Sequence, residues 1–149
     1  MGVGCEVGEM LLHVNASSGM SSLLTFSDKH RTLYPDVADG RTTTVPITTL
    51  DSYFGDRELT SPALVKLDVQ GYEREVLKGA PGVLERATWL VLELSFEPLY
   101  DGETSFGDML EFLGGLGWTM VRPVDFLAHA STGEILQIDA LFARSTDSV

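Results

Sequence analysis

The sequence predicts an α/β fold in which strands and helices alternate in layers. From about residue 60, short apolar runs typical of buried strands alternate with segments whose apolar residues recur at helical spacing. The chain has 149 residues, of which 44% are hydrophobic and 21% charged, and this is enough apolar content for one hydrophobic core. We therefore expect one α/β domain, or part of one, over residues 1–149.

The first part of the chain, residues 1–60, is predicted to be an irregular segment that contains β-structure. Short strands are expected at 10–14 and 43–47, where β-branched and other apolar residues cluster. Between them a Ser- and Gly-rich stretch leads into an irregular loop. Thr49 is a suitable cap for a helix that begins immediately after it.

The second part, residues 61–149, is predicted to form a βαβαββ unit. Its elements in order are a buried strand at 63–69, a helix to Lys78, a helical turn from Pro81, a strand at 89–96, a helix capped by Ser105, a strand at 118–121 stopped by Pro123, and a strand at 134–143. The run at 89–96 is almost continuously apolar, which is typical of a central strand covered on both faces. The last two strands are expected to form an antiparallel pair at the sheet edge.

The charge balance excludes several classes of protein. The chain carries 10 Lys+Arg against 22 Asp+Glu, a formal charge of −12, whereas a nucleic-acid surface needs clustered positive charge. The composition is too apolar for a disordered chain, and no apolar run approaches the ~18 residues of a membrane span. One cysteine, Cys5, and no signal-peptide pattern favour a cytoplasmic location.

Three carboxylates are candidates for a functional site. Asp68 ends a predicted strand, where ligands gather in open α/β sheets, and a glycine and a helix start follow it. The alternative is that Asp68 caps that helix and that Glu73 favours its first turn electrostatically. Glu93 lies inside an apolar strand, where an unpaired carboxylate is costly, so it either pairs with a cation such as Lys66 or lies in a site.

The histidines give a weaker signal. His13, His30 and His129 are scattered without metal-ligand spacing, so we expect surface or loop positions for them and no metal site. His30 is the best catalytic candidate of the three because it lies in a polar stretch at 28–31. The sequence contains no nucleophile elbow and no phosphate-binding loop.

One block of the sequence resembles a known family. Lys-Leu-Asp-Val-Gln-Gly-Tyr-Glu at 66–73, with Val-Leu-Lys-Gly-Ala at 76–80, is similar to the FkbM-type methyltransferases, and the segments at 45–53, 90–95 and 138–144 also match. The resemblance implies a Rossmann-like class I methyltransferase sheet and S-adenosylmethionine (SAM) as cofactor. It further implies O-methylation of a sugar or a small natural-product hydroxyl, an acceptor class that suits the acidic chain better than a polyanion does.

The resemblance also assigns roles to the candidate residues. Asp68 is the expected acid or base near the methyl group, and Asp68 and Gln70 are expected at the cofactor. Glu73 and Glu93 would position the substrate or support Asp68, and His30 is a candidate base on the acceptor side.

Two features of the family's seven-stranded fold have no counterpart in this sequence. These are the glycine-rich loop that holds the cofactor and the acidic residue for the ribose, so the chain resembles the second half of the fold, truncated at the N-terminus. We therefore expect the isolated chain to bind SAM weakly or not at all, and micromolar affinity in a calorimetric titration would contradict this.

A different class of function stays open. The chain could be a non-catalytic α/β remnant or interaction module that lacks the cofactor-binding half. Without the first three strands of the family's sheet, the flank of the fourth strand would be unpaired, and such edges favour self-association. The reading frame upstream of Met1 distinguishes the two classes, because a strand followed by a glycine-rich loop there would indicate an enzyme.

Overall fold

A computed structural model describes residues 1–15, 18–34 and 40–144 of the chain. The strands are β1 (Gly2–Val3), β2 (Gly8–Val14), β3 (Arg41–Thr48), β4 (Leu64–Leu67), β5 (Trp89–Ser95), β6 (Trp118–Ala128) and β7 (Ile135–Arg144). The α-helices are α1 (Asp28–Leu33), α2 (Leu50–Phe54), α3 (Glu73–Lys78), α4 (Pro81–Arg86) and α5 (Phe106–Gly115), and a 3₁₀ helix spans Ser18–Met20. None of the helices in these ranges is long and apolar enough to cross a membrane.

The described residues form two mixed sheets, which confirms the predicted α/β class. In the first sheet the strand order is β1-β3-β2, with β1 parallel and β2 antiparallel to β3. In the second the order is β4-β5-β7-β6, with β4 parallel to β5 and the other pairs antiparallel. The predicted central position of β5 and the antiparallel β6–β7 pair at the edge are both confirmed.

Local capping explains where several helices begin. Thr49 Oγ1 accepts a hydrogen bond from the Ser52 N–H (2.9 Å), and Ser105 Oγ accepts one from the Asp108 N–H (3.3 Å). The predicted caps are therefore confirmed. The division of one helical segment into α3 and α4, at Lys78 and Pro81, is also as predicted.

One prediction for the first sixty residues is wrong, and one strand there was missed. The loop expected after the Ser- and Gly-rich stretch contains α1, whose first turn is capped by Ser27 Oγ accepting from the His30 N–H. The short strand β1 was not predicted, because it has only two residues and forms by pairing with β3, which is distant in sequence.

Two predictions for the second sheet need correction. The strand expected to be buried at 63–69 is shorter and only partly buried, because β4 lies at an edge of its sheet and Leu64 is 60% exposed. The strand expected to stop at Pro123 continues to Ala128. A proline is tolerated there because β6 is the other edge strand, and shifts in its register flank the proline.

The main core lies between the second sheet and the helices α3, α4 and α5. Its largest fully buried apolar side chains come from β5, β7 and these helices, and they are Val76, Leu77, Val83, Leu90, Leu92, Leu113 and Phe142. A second, smaller cluster combines Phe26 with Leu99 and Tyr100. The smaller cluster lies behind the loop that follows β4, which is the region of the candidate site.

Candidate functional site

The loop between β4 and α3 has an unusual backbone conformation. Gln70 and Gly71 have φ angles of 56° and 90°, so both lie in the left-handed region. At Gly71 a Cβ atom would also lie 3.2 Å from Tyr100 Cβ, so a side chain there would crowd its neighbour. The Gln-Gly pair thus turns the chain sharply and places the Gln70 side chain beside the end of β4.

The buried carboxyl group of Glu73 stabilises this loop. Its Oε1 accepts hydrogen bonds from the backbone N–H groups of Val69 (2.9 Å) and Gly71 (3.4 Å), and the residue is only 3% exposed. Burial raises the pKa of the Glu73 carboxyl to about 8, although the Val69 N–H opposes the shift. Glu73 therefore supports the loop from within the protein and lies in the first turn of α3.

Asp68 does not cap the helix that follows it. The N-cap of α3 is Tyr72, and within the described residues no side chain caps this helix. Asp68 Oδ1 instead accepts a hydrogen bond from Gln70 Nε2 (2.8 Å), and Asp68 Oδ2 lies 3.6 Å from Lys66 Nζ. The capping alternative for Asp68 is therefore wrong, and the carboxylate, 43% exposed, points to the surface at the end of β4.

Gln70 joins three side chains from different elements. Its Nε2 donates to Asp68 Oδ1 and to Glu93 Oε2 (3.2 Å), and its Oε1 accepts from the Tyr100 hydroxyl (2.7 Å). Its backbone oxygen also accepts from Ser22 Oγ (2.7 Å), which links the loop to the chain beyond β2. Both amide hydrogens of Gln70 therefore point to carboxylates.

The alternative in which Glu93 pairs with Lys66 is wrong. The strand register places Lys66 opposite Val91 and Glu93 opposite Asp139, so Lys66 Nζ contacts Asp139 Oδ2 (2.9 Å) instead. Burial, and to a smaller extent the charges of Asp68 and Asp139, raise the pKa of the Glu93 carboxyl to about 7. Glu93 is thus a carboxyl group that changes its charge near neutral pH.

Asp68 lines two pockets formed by the described residues. The larger, of about 510 Å³, lies between the first sheet and the loop after β4. Its lining comprises Met1, Gly2, Val3, Leu12, Gly19, Ser21, Ser22, Leu23, Val45, Asp68, Val69, Gln70 and Tyr72. The smaller, of about 350 Å³, opens over the second sheet and is lined by Lys66, Asp68, Glu93, Asp125, Phe126, Leu127, Gln137, Ile138 and Asp139.

His30 is not in a polar surface loop. It lies on α1, is 3% exposed, and stacks on Phe26 with 3.8 Å between ring centroids. Burial lowers the pKa of His30, and the charge of Arg31 lowers it further. The ring borders neither of the two pockets and lies 5.8 Å from the Tyr100 ring, measured between centroids.

The other two histidines lie apart from the loop after β4. His13 is on β2, and His129 is in the turn between β6 and β7, where its ring nitrogen contacts the Ser131 and Thr132 hydroxyls. In the ranges that the structure describes, no group of three or more His, Cys, Asp or Glu side chains is placed to hold a metal ion.

Sequence reasoning missed two residues of the candidate site, Asp139 in the lining of the smaller pocket and Tyr100 in the network around Gln70. Asp139 carries the same signal as Glu93, since it is a single acid in an apolar strand, and it could have been found in that way. Tyr100 gives no local signal, because its hydrogen-bond partner Gln70 lies 30 residues away. The structure therefore joins Asp68, Gln70 and Glu93 in one hydrogen-bonded network and adds Tyr100 to it.

Comparison with known proteins identifies the family. A family model described as the methyltransferase FkbM domain matches residues 1–120 of the 149. No curated protein and no solved structure matches the chain. The match spans well over half of the sequence and includes the whole loop after β4, and the chain therefore belongs to the FkbM methyltransferase domain family.

Proposed function

We propose that the protein is a SAM-dependent methyltransferase that methylates a hydroxyl group of a sugar or a small natural product. The observation that most supports this is the position of Asp68, which borders two pockets in a chain of a methyltransferase family. Methyl transfer requires a donor and an acceptor to meet in line, so a carboxylate shared by two pockets is suitably placed to act on the acceptor.

The larger pocket is the proposed cofactor site. Its volume of about 510 Å³ lies within the range of small-molecule sites, roughly 300–1,000 Å³. Leu12, Leu23 and Val45 provide apolar contacts suited to an adenine ring, and the Asp68 carboxylate suits hydroxyl groups or a positive charge. When bound, SAM supplies a methyl group activated by a positively charged sulfur.

The smaller pocket is the proposed acceptor site. Asp68, Glu93 and Gln137 present oxygen atoms that can accept hydrogen bonds from hydroxyl groups, and Phe126 offers an apolar ring at 63% exposure. Asp68 is the proposed general base, which removes the proton of the acceptor hydroxyl as its oxygen attacks. Glu93 lies on the other side of the Gln70 amide and supports Asp68.

 Among the described residues that line the larger pocket, Asp68 is the one carboxylate, and the lining includes no glycine-rich loop. We therefore propose that the isolated chain binds SAM weakly, with a dissociation constant above about 100 μM. Isothermal titration calorimetry measures this directly, and micromolar affinity would contradict it.

Transfer of a radiolabelled methyl group tests the proposed activity. The full chain is incubated with methyl-tritiated SAM at millimolar concentration and with a panel of methyl glycosides and small hydroxylated compounds. We expect label to appear in at least one acceptor and S-adenosylhomocysteine to form in equal amount. If no compound is labelled above the level seen with heat-denatured chain, the non-catalytic alternative is favoured.

A further inference from the structure

Tyr100 has the properties of a residue that orients another side chain. It is 2% exposed, and its ring lies 5.5 Å from that of Phe26 and 5.8 Å from that of His30, measured between centroids. Its backbone N–H donates to Glu103 Oε2 (3.1 Å), as does the Leu99 N–H (2.7 Å). Both the ring and the backbone of Tyr100 are therefore held in place.

The Tyr100 hydroxyl determines which way the Gln70 amide faces. Burial and the nearby Glu93 carboxyl raise the pKa of Tyr100, so the hydroxyl keeps its proton and can donate it. Its bond to Gln70 Oε1 (2.7 Å) leaves both amide hydrogens for Asp68 and Glu93. A rotated amide would point its oxygen at two carboxylates and its hydrogens at a donor.

From this geometry we infer that Tyr100 is a positioning residue, which acts through the Gln70 amide to hold the Asp68 and Glu93 carboxyl groups in place for the acceptor. The inference rests on the proposed function for its effect on catalysis. The positioning itself depends only on the hydrogen bonds between Tyr100, Gln70 and the two carboxyl groups.

Two substitutions break the hydrogen-bonded path from Tyr100 through Gln70 to the carboxyl groups, each at a different point. Tyr100→Phe keeps the ring and deletes the hydroxyl, and Gln70→Met keeps the length of the side chain and deletes the amide. Tyr53→Phe is the matched control, because Tyr53 lies on α2, is 49% exposed and takes no part in the network. The double variant Tyr100→Phe/Gln70→Met tests whether Tyr100 acts through Gln70.

Two readouts are measured on the full chain. The first is the titration of Glu93 by carboxyl ¹³C NMR, and the second is kcat and KM for SAM with the methyl glycoside that is labelled fastest. We expect Tyr100→Phe to raise the pKa of Glu93 above the wild-type value, because the Gln70 amide that donates to the Glu93 carboxylate is no longer held in place. We also expect kcat to fall about tenfold, with KM for SAM changed by less than about twofold.

The outcomes separate this inference from the proposed function. Equal effects of Gln70→Met and the double variant support it, whereas an unchanged Glu93 titration in Tyr100→Phe, or additive effects in the double variant, would overturn it. If the wild-type chain shows no turnover, the proposed function fails, and the Glu93 titration and the double variant still decide whether Tyr100 positions the carboxyl groups.

Discussion

At the scale of single residues, Glu73 links the pH dependence of stability to the shape of the site. Its carboxyl is buried beneath the loop after β4, and its pKa is raised from 4.5 to about 8. Between these values the folded protein keeps a proton that the unfolded chain releases. The stability associated with this group is therefore fully present below about pH 4.5 and is lost as the pH rises through about 8.

The variant Glu73→Gln tests this linkage, because an amide is neutral at every pH and its oxygen can still accept from Val69 and Gly71. We expect the free energy of unfolding to match wild type near pH 4.5 and to exceed it at pH 8.5 by roughly 1–3 kcal/mol. Urea denaturation at the two pH values measures the difference. Glu111→Gln, at an exposed position of α5, is the control, and an equal gain at both pH values for Glu73→Gln would contradict the account.

The candidate site was predictable only where its signals are local in sequence. Asp68 and Gln70 lie in one short motif after a strand, and Glu93 interrupts an apolar run, so each could be recognised from its neighbours. Tyr100 reaches the same site through the fold, and His30 looks polar in sequence but packs on Phe26. Such contacts depend on tertiary packing, which residue patterns do not show.

At the scale of elements, α4 depends on a cap from a distant helix. Asp51 on α2 accepts hydrogen bonds from the N–H groups of Gly82 and Val83, both at 2.8 Å. These are among the backbone donors that a helix leaves unpaired at its N-terminus. The Leu-Asp pair that begins α2 therefore also stabilises the start of α4, 31 residues away.

Removing this cap should destabilise the protein. We expect Asp51→Ala to lower the free energy of unfolding by about 1–2 kcal/mol, and Asp51→Asn to cost less because one acceptor oxygen remains. Chemical denaturation of the two variants measures the loss. Asp56→Ala, an exposed residue just after α2, serves as the control. A loss for Asp51→Ala no larger than that of the control would show that the cap does not stabilise α4.

Elements were predicted well where periodicity and capping residues agree. The boundary between α3 and α4, the caps of α2 and α5, and the central strand β5 follow from such local signals. The extent of β6 does not, because a proline ends most strands and is accommodated here only by the edge position. An edge is a property of the assembled sheet.

At the scale of the whole molecule, the β4 edge of the second sheet affects how copies of the chain can associate. Among the described residues β4 pairs only with β5, and Leu64 on it is 60% exposed. Edge strands of this kind readily pair with another chain. The opposite edge, β6, contains Pro123 and irregular register, which oppose such pairing. We propose that two copies of the chain associate through their β4 edges.

Sedimentation equilibrium tests this association. We expect the wild-type chain to form dimers, and Leu64→Lys to weaken dimerisation at least about tenfold, because a lysine on an edge strand opposes strand pairing. Val121→Lys places the same charge at an exposed position of β6 and should leave the association unchanged. A wild-type chain that is monomeric at every concentration and melts cooperatively would contradict the proposal.

The central claim is that Asp68, which borders both pockets, acts as general base on an acceptor in the smaller one. Methyl transfer from tritiated SAM, compared between wild type, Asp68→Asn and the exposed control Asp56→Asn, tests it most directly. The account predicts that Asp68→Asn lowers turnover at least about a hundredfold while Asp56→Asn retains wild-type turnover. Turnover by Asp68→Asn equal to that of wild type would contradict it.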